Sequence, residues 1–114
     1  MKKLKPQKVD WAQIERFLQS AEKKLASAHK ILTFDEEACL QQAYEAMLKA
    51  SLGFMFSHGF RARSQPGHHI AIIEFVRALY DDTGFVSRQD AEQALESARN
   101  LIGVIRTDIT ARKP

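Results

Sequence analysis

VDWAQIERFLQSAEKKLASAHKIL, residues 9–32, is the stretch from which the architecture can be read. Its apolar members Trp11, Ile14, Phe17, Leu18, Ala21, Leu25, Ala28 and Leu32 recur at steps of three and four, the period that lines one face of an α-helix. Asp10 stands where a side chain can cap the first turn, Gln13 follows in capping-box register, and Val9 is placed for a hydrophobic staple. A helix with one apolar stripe must bury that stripe against other elements, and the remaining sequence supplies them.

The second segment opens on Thr33-Phe-Asp-Glu36, a further capping box, with Asp35, Glu36 and Glu37 at the positive end of the helix dipole. Its apolar residues Leu40, Ala43, Tyr44, Met47, Leu48, Leu52, Met55 and Phe56 cover more than one face, which predicts the most buried helix of the set. Gly59 suits a left-handed stop. A loop over residues 60–65 leads to Pro66, whose fixed φ fits the first turn of a helix over 66–80 carrying Ile70, Ile72, Ile73, Phe75, Val76 and Leu79. Asp81-Asp-Thr-Gly84 breaks the chain. Ser87 and Asp90 then make a third capping box before Ala91, Ala94, Leu95, Ala98, Leu101, Ile102, Ile105 and Ile109. The β-branched cluster Ile70–Ile73 has no second strand to pair with. Four helices with short connections predict an all-α fold, an antiparallel up-down four-helix bundle.

Length and composition bound the alternatives. A chain of 114 residues suits one domain, and 45% hydrophobic with 27% charged residues is ordinary for a packed globular protein. Of its 17 Lys and Arg, 4 lie in residues 1–8, namely Lys2, Lys3, Lys5 and Lys8; the other 13 face 14 acids, so the body carries −1. The organisation expected is a basic flexible arm, 1–8, and a single helical domain, 9–114. Such an arm suits phosphates or an acidic partner, and equally a solvated chain end. No apolar run follows the first lysines and no stretch approaches the length of a membrane span, so no membrane association and a cytoplasmic location are expected. The single cysteine, Cys39, has no partner in the chain and reads as a reduced, buried thiol.

The polar groups that stand out gather at one connection: His58, Arg61, Arg63, Ser64, His68 and His69. Pro66 puts His68 and His69 in a helix's first turn, where the dipole disfavours imidazolium and a neutral ring can serve as a general base. Arginine supplies a forked, permanent charge suited to phosphate, and the free N–H groups of the same helix start add anion affinity. His58, Arg61 and Ser64 are the expected phosphate-binding or nucleic-acid-binding groups. No carboxylate shares an obvious helical register with His58, His68 and His69, so no metal and no cofactor is expected.

Ala43-Tyr-Glu-Ala-Met-Leu-Lys-Ala-Ser-Leu52, then Ser57-His-Gly-Phe-Arg61, then a histidine leading an apolar helix, follow the order of the central helix, glycine-ended turn and histidine of the HEPN superfamily, which this chain resembles over roughly residues 9–109. That superfamily consists of small helical bundles, many of them ribonucleases or partners of nucleotidyltransferases. Its catalytic signature is an Arg followed by His after four to six residues. Arg63 with His68 has four between, Arg63 with His69 five, and Arg61 with His68 six. The resemblance implies a metal-independent endoribonuclease of toxin type, with Arg63, His68 and His69 catalytic: a histidine as general acid or base and Arg63 stabilising the charged transition state. It also implies a homodimer, and RNA or a nucleotide as ligand. Catalytic members often carry Asn, Asp or His just after the Arg, where this chain has Ser64, and Pro66 interrupts the motif's helix. A second expectation therefore stands beside the first: a non-catalytic HEPN-like binding module or helical adaptor that partners a nucleotidyltransferase or another protein.

The same residues also admit structural roles: the histidine pair as a helix-start feature, the arginines as solvated loop charges. Trp11, Tyr44, Tyr80 and the seven Phe fall mostly on apolar stripes and are expected in the core. Met47, Met55 and Phe56 suit either buried packing or a partner groove.

Overall fold

The computed structural model describes residues 9–59 and 86–114, together with the backbone of two three-residue strands. In chain order these elements are β1 (Leu4–Pro6), α1 (Trp11–Ile31), α2 (Glu36–Ser57), β2 (Phe60–Ala62) and α3 (Arg88–Arg112). The architecture is helical. Three long helices carry the described core; the helix expected over 66–80 lies outside the described residues.

The capping chemistry explains where each helix begins. Asp10 accepts from the Gln13 N–H at 3.2 Å, and Val9 packs against the core from just before α1. Ser87 accepts from the Asp90 N–H at 3.0 Å while Asp90 accepts from the Ser87 N–H at 3.2 Å, the reciprocal box expected for α3. The second box is corrected. The cap of α2 is Asp35, which accepts from the Ala38 N–H at 2.9 Å, in place of Thr33. The Phe34 and Asp35 N–H groups both bond to the Ile31 carbonyl, at 3.0 and 2.9 Å, so the turn closing α1 reaches through Phe34 before α2 can start. At the far end of α2 the chain turns at Gly59, whose φ of 81° is the left-handed conformation that Gly adopts without a Cβ penalty.

Helix α2 is the central element. Cys39, Leu40, Ala43, Ala46, Ala50, Leu52, Gly53 and Phe56 are all buried along it, against α1 on one side and α3 on the other. Positions 43, 46, 50 and 53 hold only Ala and Gly, which lets the helix backbones approach closely. From α1 come Ile14, Leu18, Ala21 and Ala28; from α3 come Ala91, Ala94, Leu95, Ala98, Ile102, Ile105 and Ile109. Two aromatics depart from the core expectation: Phe34, on the α1–α2 turn, is 85% exposed, and Phe54 is 39% exposed.

Charged contacts fix the helix directions. Arg106, late in α3, donates to Glu15 Oε1 and Oε2 at 2.7 and 3.0 Å and to Glu22 Oε2 and Oε1 at 3.1 and 2.9 Å, so the end of α3 lies beside the start of α1 and the two run antiparallel. Arg112 bonds to Ser57, joining the last turns of α3 and α2. Helices α2 and α3 are therefore parallel neighbours.

Residues 1–8, expected as a flexible arm, are in part structured. Strand β1 pairs antiparallel with β2, with Leu4 opposite Ala62, Lys5 opposite Arg61 and Pro6 opposite Phe60. Residues 60–62, expected in a loop, form the other half of this ladder. A three-residue strand separated from its partner by more than fifty residues leaves no periodic trace, because both halves are too short to alternate visibly.

Candidate functional site

The site expected from the sequence begins where α2 ends. His58 is the C-cap, with φ −99° and ψ 9°; its N–H donates to the Met55 carbonyl at 3.1 Å, and the Gly59 N–H donates to the Phe56 carbonyl at 3.0 Å. The His58 side chain is exposed, and the imidazole stands edge-on to Phe54 with ring centroids 4.7 Å apart. Arg61 follows three residues later, at the middle register position of the ribbon. Arg63, Ser64, His68 and His69 lie outside the described residues. The structure thus brings His58 and Arg61 to one end of the central helix.

Beneath them sits a polar constellation that the sequence reading missed. Arg112 Nη2 donates to the Ser57 hydroxyl at 2.6 Å and Nη1 donates to the Ser57 carbonyl at 3.2 Å, so a cation satisfies the C-terminal end of α2. The Ser57 hydroxyl in turn donates to the Phe54 carbonyl at 2.6 Å. With its proton and an acceptor lone pair committed, this buried serine braces the helix end and is not poised as a nucleophile. Asp108 accepts from Arg112 at 2.7 Å and 3.0 Å. Those hydrogen bonds, outweighing partial desolvation and helped by the charges of Arg112 and His58, hold the Asp108 carboxyl below its ordinary range. The Arg112 guanidinium also lies 5.9 Å from the Phe54 ring centre. The Asp108–Arg112 spacing of four was a legible signal; the contact with Ser57, 55 residues away, was not.

The seam between α1 and α3 carries the other strong charge cluster. The Glu15 carboxyl is held below its ordinary value by the hydrogen bonds from Arg106, which outweigh burial, with Arg106 and Lys113 adding Coulomb attraction. Hydrogen bonds to Glu22 and Glu15 keep Arg106 charged well beyond any physiological pH. This cluster ties two helices together and leaves no unpaired group for chemistry.

Cys39 is buried, and desolvation raises its thiol pKa, which opposes thiolate formation and a nucleophilic role. Burial likewise raises the Tyr44 hydroxyl. Among the described residues no group of three or more His, Cys, Asp or Glu side chains stands close enough to hold a metal ion, and no helix is long and apolar enough to cross a membrane. The outer side of α3 presents an open groove lined by Arg99, Asn100, Gly103, Val104, Thr107 and Asp108, with Val104 68% exposed. Comparison of the chain with protein-family models, with curated proteins and with solved structures finds no match.

Proposed function

We propose that this chain is a cytoplasmic HEPN-like protein that acts on or binds RNA or nucleotides, as a metal-independent ribonuclease of toxin type, through the segment that leaves the central helix. The observation that carries this reading is the end of α2. The most buried helix stops at Gly59 and hands an exposed His58 and the Arg61 strand to that segment from a braced platform, the position of the glycine-ended turn in the resemblance. In this reading His68 or His69 moves the proton of an attacking 2′-hydroxyl, and Arg63 with Arg61 stabilises charge on the phosphorus-bound oxygens.

The four-helix bundle belongs to the same proposal. Parallel α2 and α3 oblige the chain between them to return along about 33 Å, the length of α2 at 1.5 Å per residue. A helix over 66–80 would supply about 22 Å of that return and complete an up-down order.

Purified protein incubated with a mixed RNA pool and EDTA, beside the His68→Ala/His69→Ala double variant, tests the catalytic role. Cleavage by the wild type that the double variant loses is the expected result; no cleavage by either removes it. A second reading, a non-catalytic adaptor for a nucleotidyltransferase-type protein or a second copy of itself, is favoured by the open face of α3, where Val104 is 68% exposed beside Gly103 and Thr107. Light scattering of the wild type and of Val104→Lys tests the homodimer: a dimer that the lysine dissociates supports it, and a strict monomer at high concentration ends it.

A further inference from the structure

The outer face of α3 is complementary to itself. The open groove along it is lined by Arg99, Asn100, Gly103, Val104, Thr107 and Asp108, and these six stand symmetrically about the peptide that joins Gly103 to Val104. A second copy of the helix laid antiparallel on the first, with a two-fold axis at that peptide, sets each of them opposite another member of the set. Gly103 then faces Val104, Asn100 faces Thr107, and Arg99 faces Asp108. A Cβ at Gly103 would meet nothing within 4 Å, so the notch is open to the exposed Val104 side chain of the other copy, and a glycine lets helix axes approach to about 8 Å. Thr107 donates its hydroxyl proton to the Gly103 carbonyl at 2.9 Å, which leaves its oxygen to accept from the Asn100 amide. Arg99 brings a cation to Asp108, an anion whose two hydrogen bonds from Arg112 both fall on Oδ2. Exposed Glu96 and Ala111 extend the same register, giving a contact about 22 Å long.

We propose that the outer face of α3 is a two-fold interface, on which a second copy of this chain docks antiparallel across Gly103 and Val104. This rests on the self-association reading given above and supplies its geometry; the nuclease reading does not depend on it. A two-fold contact requires a self-complementary patch, because each residue pairing occurs twice, whereas a face shaped for a foreign partner carries no such constraint. One helix per copy makes a contact at the small end of specific interfaces, so the association is weak. The dilute chain unfolds as a monomer with this face open, and dimers fill as concentration rises.

Sedimentation velocity over a concentration series, at low salt to limit screening, compares the wild type, Arg99→Glu, Asp108→Lys and an equimolar mixture of the two variants. In this register each variant alone sets like charges opposite one another at both ends of the contact, and the mixture restores opposite charges at both. Each variant alone is expected to raise the dimer dissociation constant about tenfold, and the mixture to return it to the wild-type value. Because Asp108 also bonds to Arg112, circular dichroism checks that its variant keeps the fold, and a second measurement leaves Asp108 in place. Mild oxidation should cross-link Val104→Cys to its own copy across the axis, and not Arg99→Cys, whose counterpart stands about 14 Å away along the helices; the native Cys39 is buried. Equal cross-linking of both, or two weakened variants that the mixture does not rescue, overturns the register. A wild-type dimer that neither charge variant weakens overturns this interface and leaves self-association standing elsewhere. A strict monomer at high concentration overturns both and leaves the face to a different protein.

Discussion

Gly53 and Gly103 sit in the middle of long helices, and they mark two differently built regions. A methyl group at Gly53 would stand 3.3 Å from Phe17 Cβ and 3.8 Å from the Ile14 carbonyl oxygen, whereas one at Gly103 would meet nothing within 4 Å. The first glycine permits α1 and α2 to touch; the second leaves a notch on the outside of α3. One region is closed by backbone proximity, and the other is an open face beside exposed Val104. The lesson is that residue type alone does not distinguish a packing glycine from a surface one, while the cost of a methyl group does.

The largest expected effect sharpens this contrast within α3 itself. Ile102 is 3% exposed and Val104 68% exposed, so Ile102→Ala should cost about 2–5 kcal/mol in urea unfolding while Val104→Ala stays within about 0.5 kcal/mol. Equal losses at the two positions would mean that the outer face of α3 is covered in solution. Next come the glycines. Gly53→Ala should destabilise by about 1 kcal/mol, since overpacking against a main-chain-proximal Phe17 Cβ exceeds the gain in helix propensity. Gly103→Ala should stabilise by about 1 kcal/mol, because only the propensity gain remains. A destabilising Gly103→Ala would break the comparison and place a partner in the notch.

Of similar size is the effect at the α1–α3 seam. A double-mutant cycle between Arg106→Gln and Glu15→Gln should return a coupling of about 1 kcal/mol, at the upper end for ion pairs near a surface, because the pairing is bidentate and both side chains are largely shielded. The pH dependence has a definite sign. Glu15 has its folded pKa lowered from 4.5, so the folded protein resists protonation more than the unfolded chain does. Its stabilisation is present above that ordinary value and is lost as pH falls through the lower folded value. Glu15→Gln should flatten the acid limb of a stability-against-pH curve and leave the neutral limb in place.

Much of the helical framework was legible. The three-and-four spacing of Ile14, Leu18, Ala21 and Ala28, and of Ala91, Leu95, Ala98, Ile102, Ile105 and Ile109, marks the buried stripes directly, and Asp10, Ser87 with Asp90, and Gly59 act where the sequence places them. Asp35 displaced Thr33 as a cap because two N–H groups bond to the Ile31 carbonyl and lengthen the turn, a choice settled by hydrogen bonding between neighbours and not by residue preference. Of the candidate site, His58 is the C-cap of α2 and Arg61 lies on β2 just beyond Gly59, and Arg63, Ser64, His68 and His69 lie outside the described residues.

What the sequence determined by itself is whatever acts within a turn or two of helix: which segments are helical, which stripe is apolar, and where caps and a left-handed stop end them. Tertiary structure decided the rest. That Arg112 braces Ser57, that Arg106 spans Glu15 and Glu22, that α2 and α3 run parallel, and that β1 pairs with β2 are relations between residues far apart in the chain. Local periodicity carries no record of them, because each depends on which faces the helices bury against one another. That choice is made by close packing of the Ala and Gly positions of α2 and not by any one segment's preference.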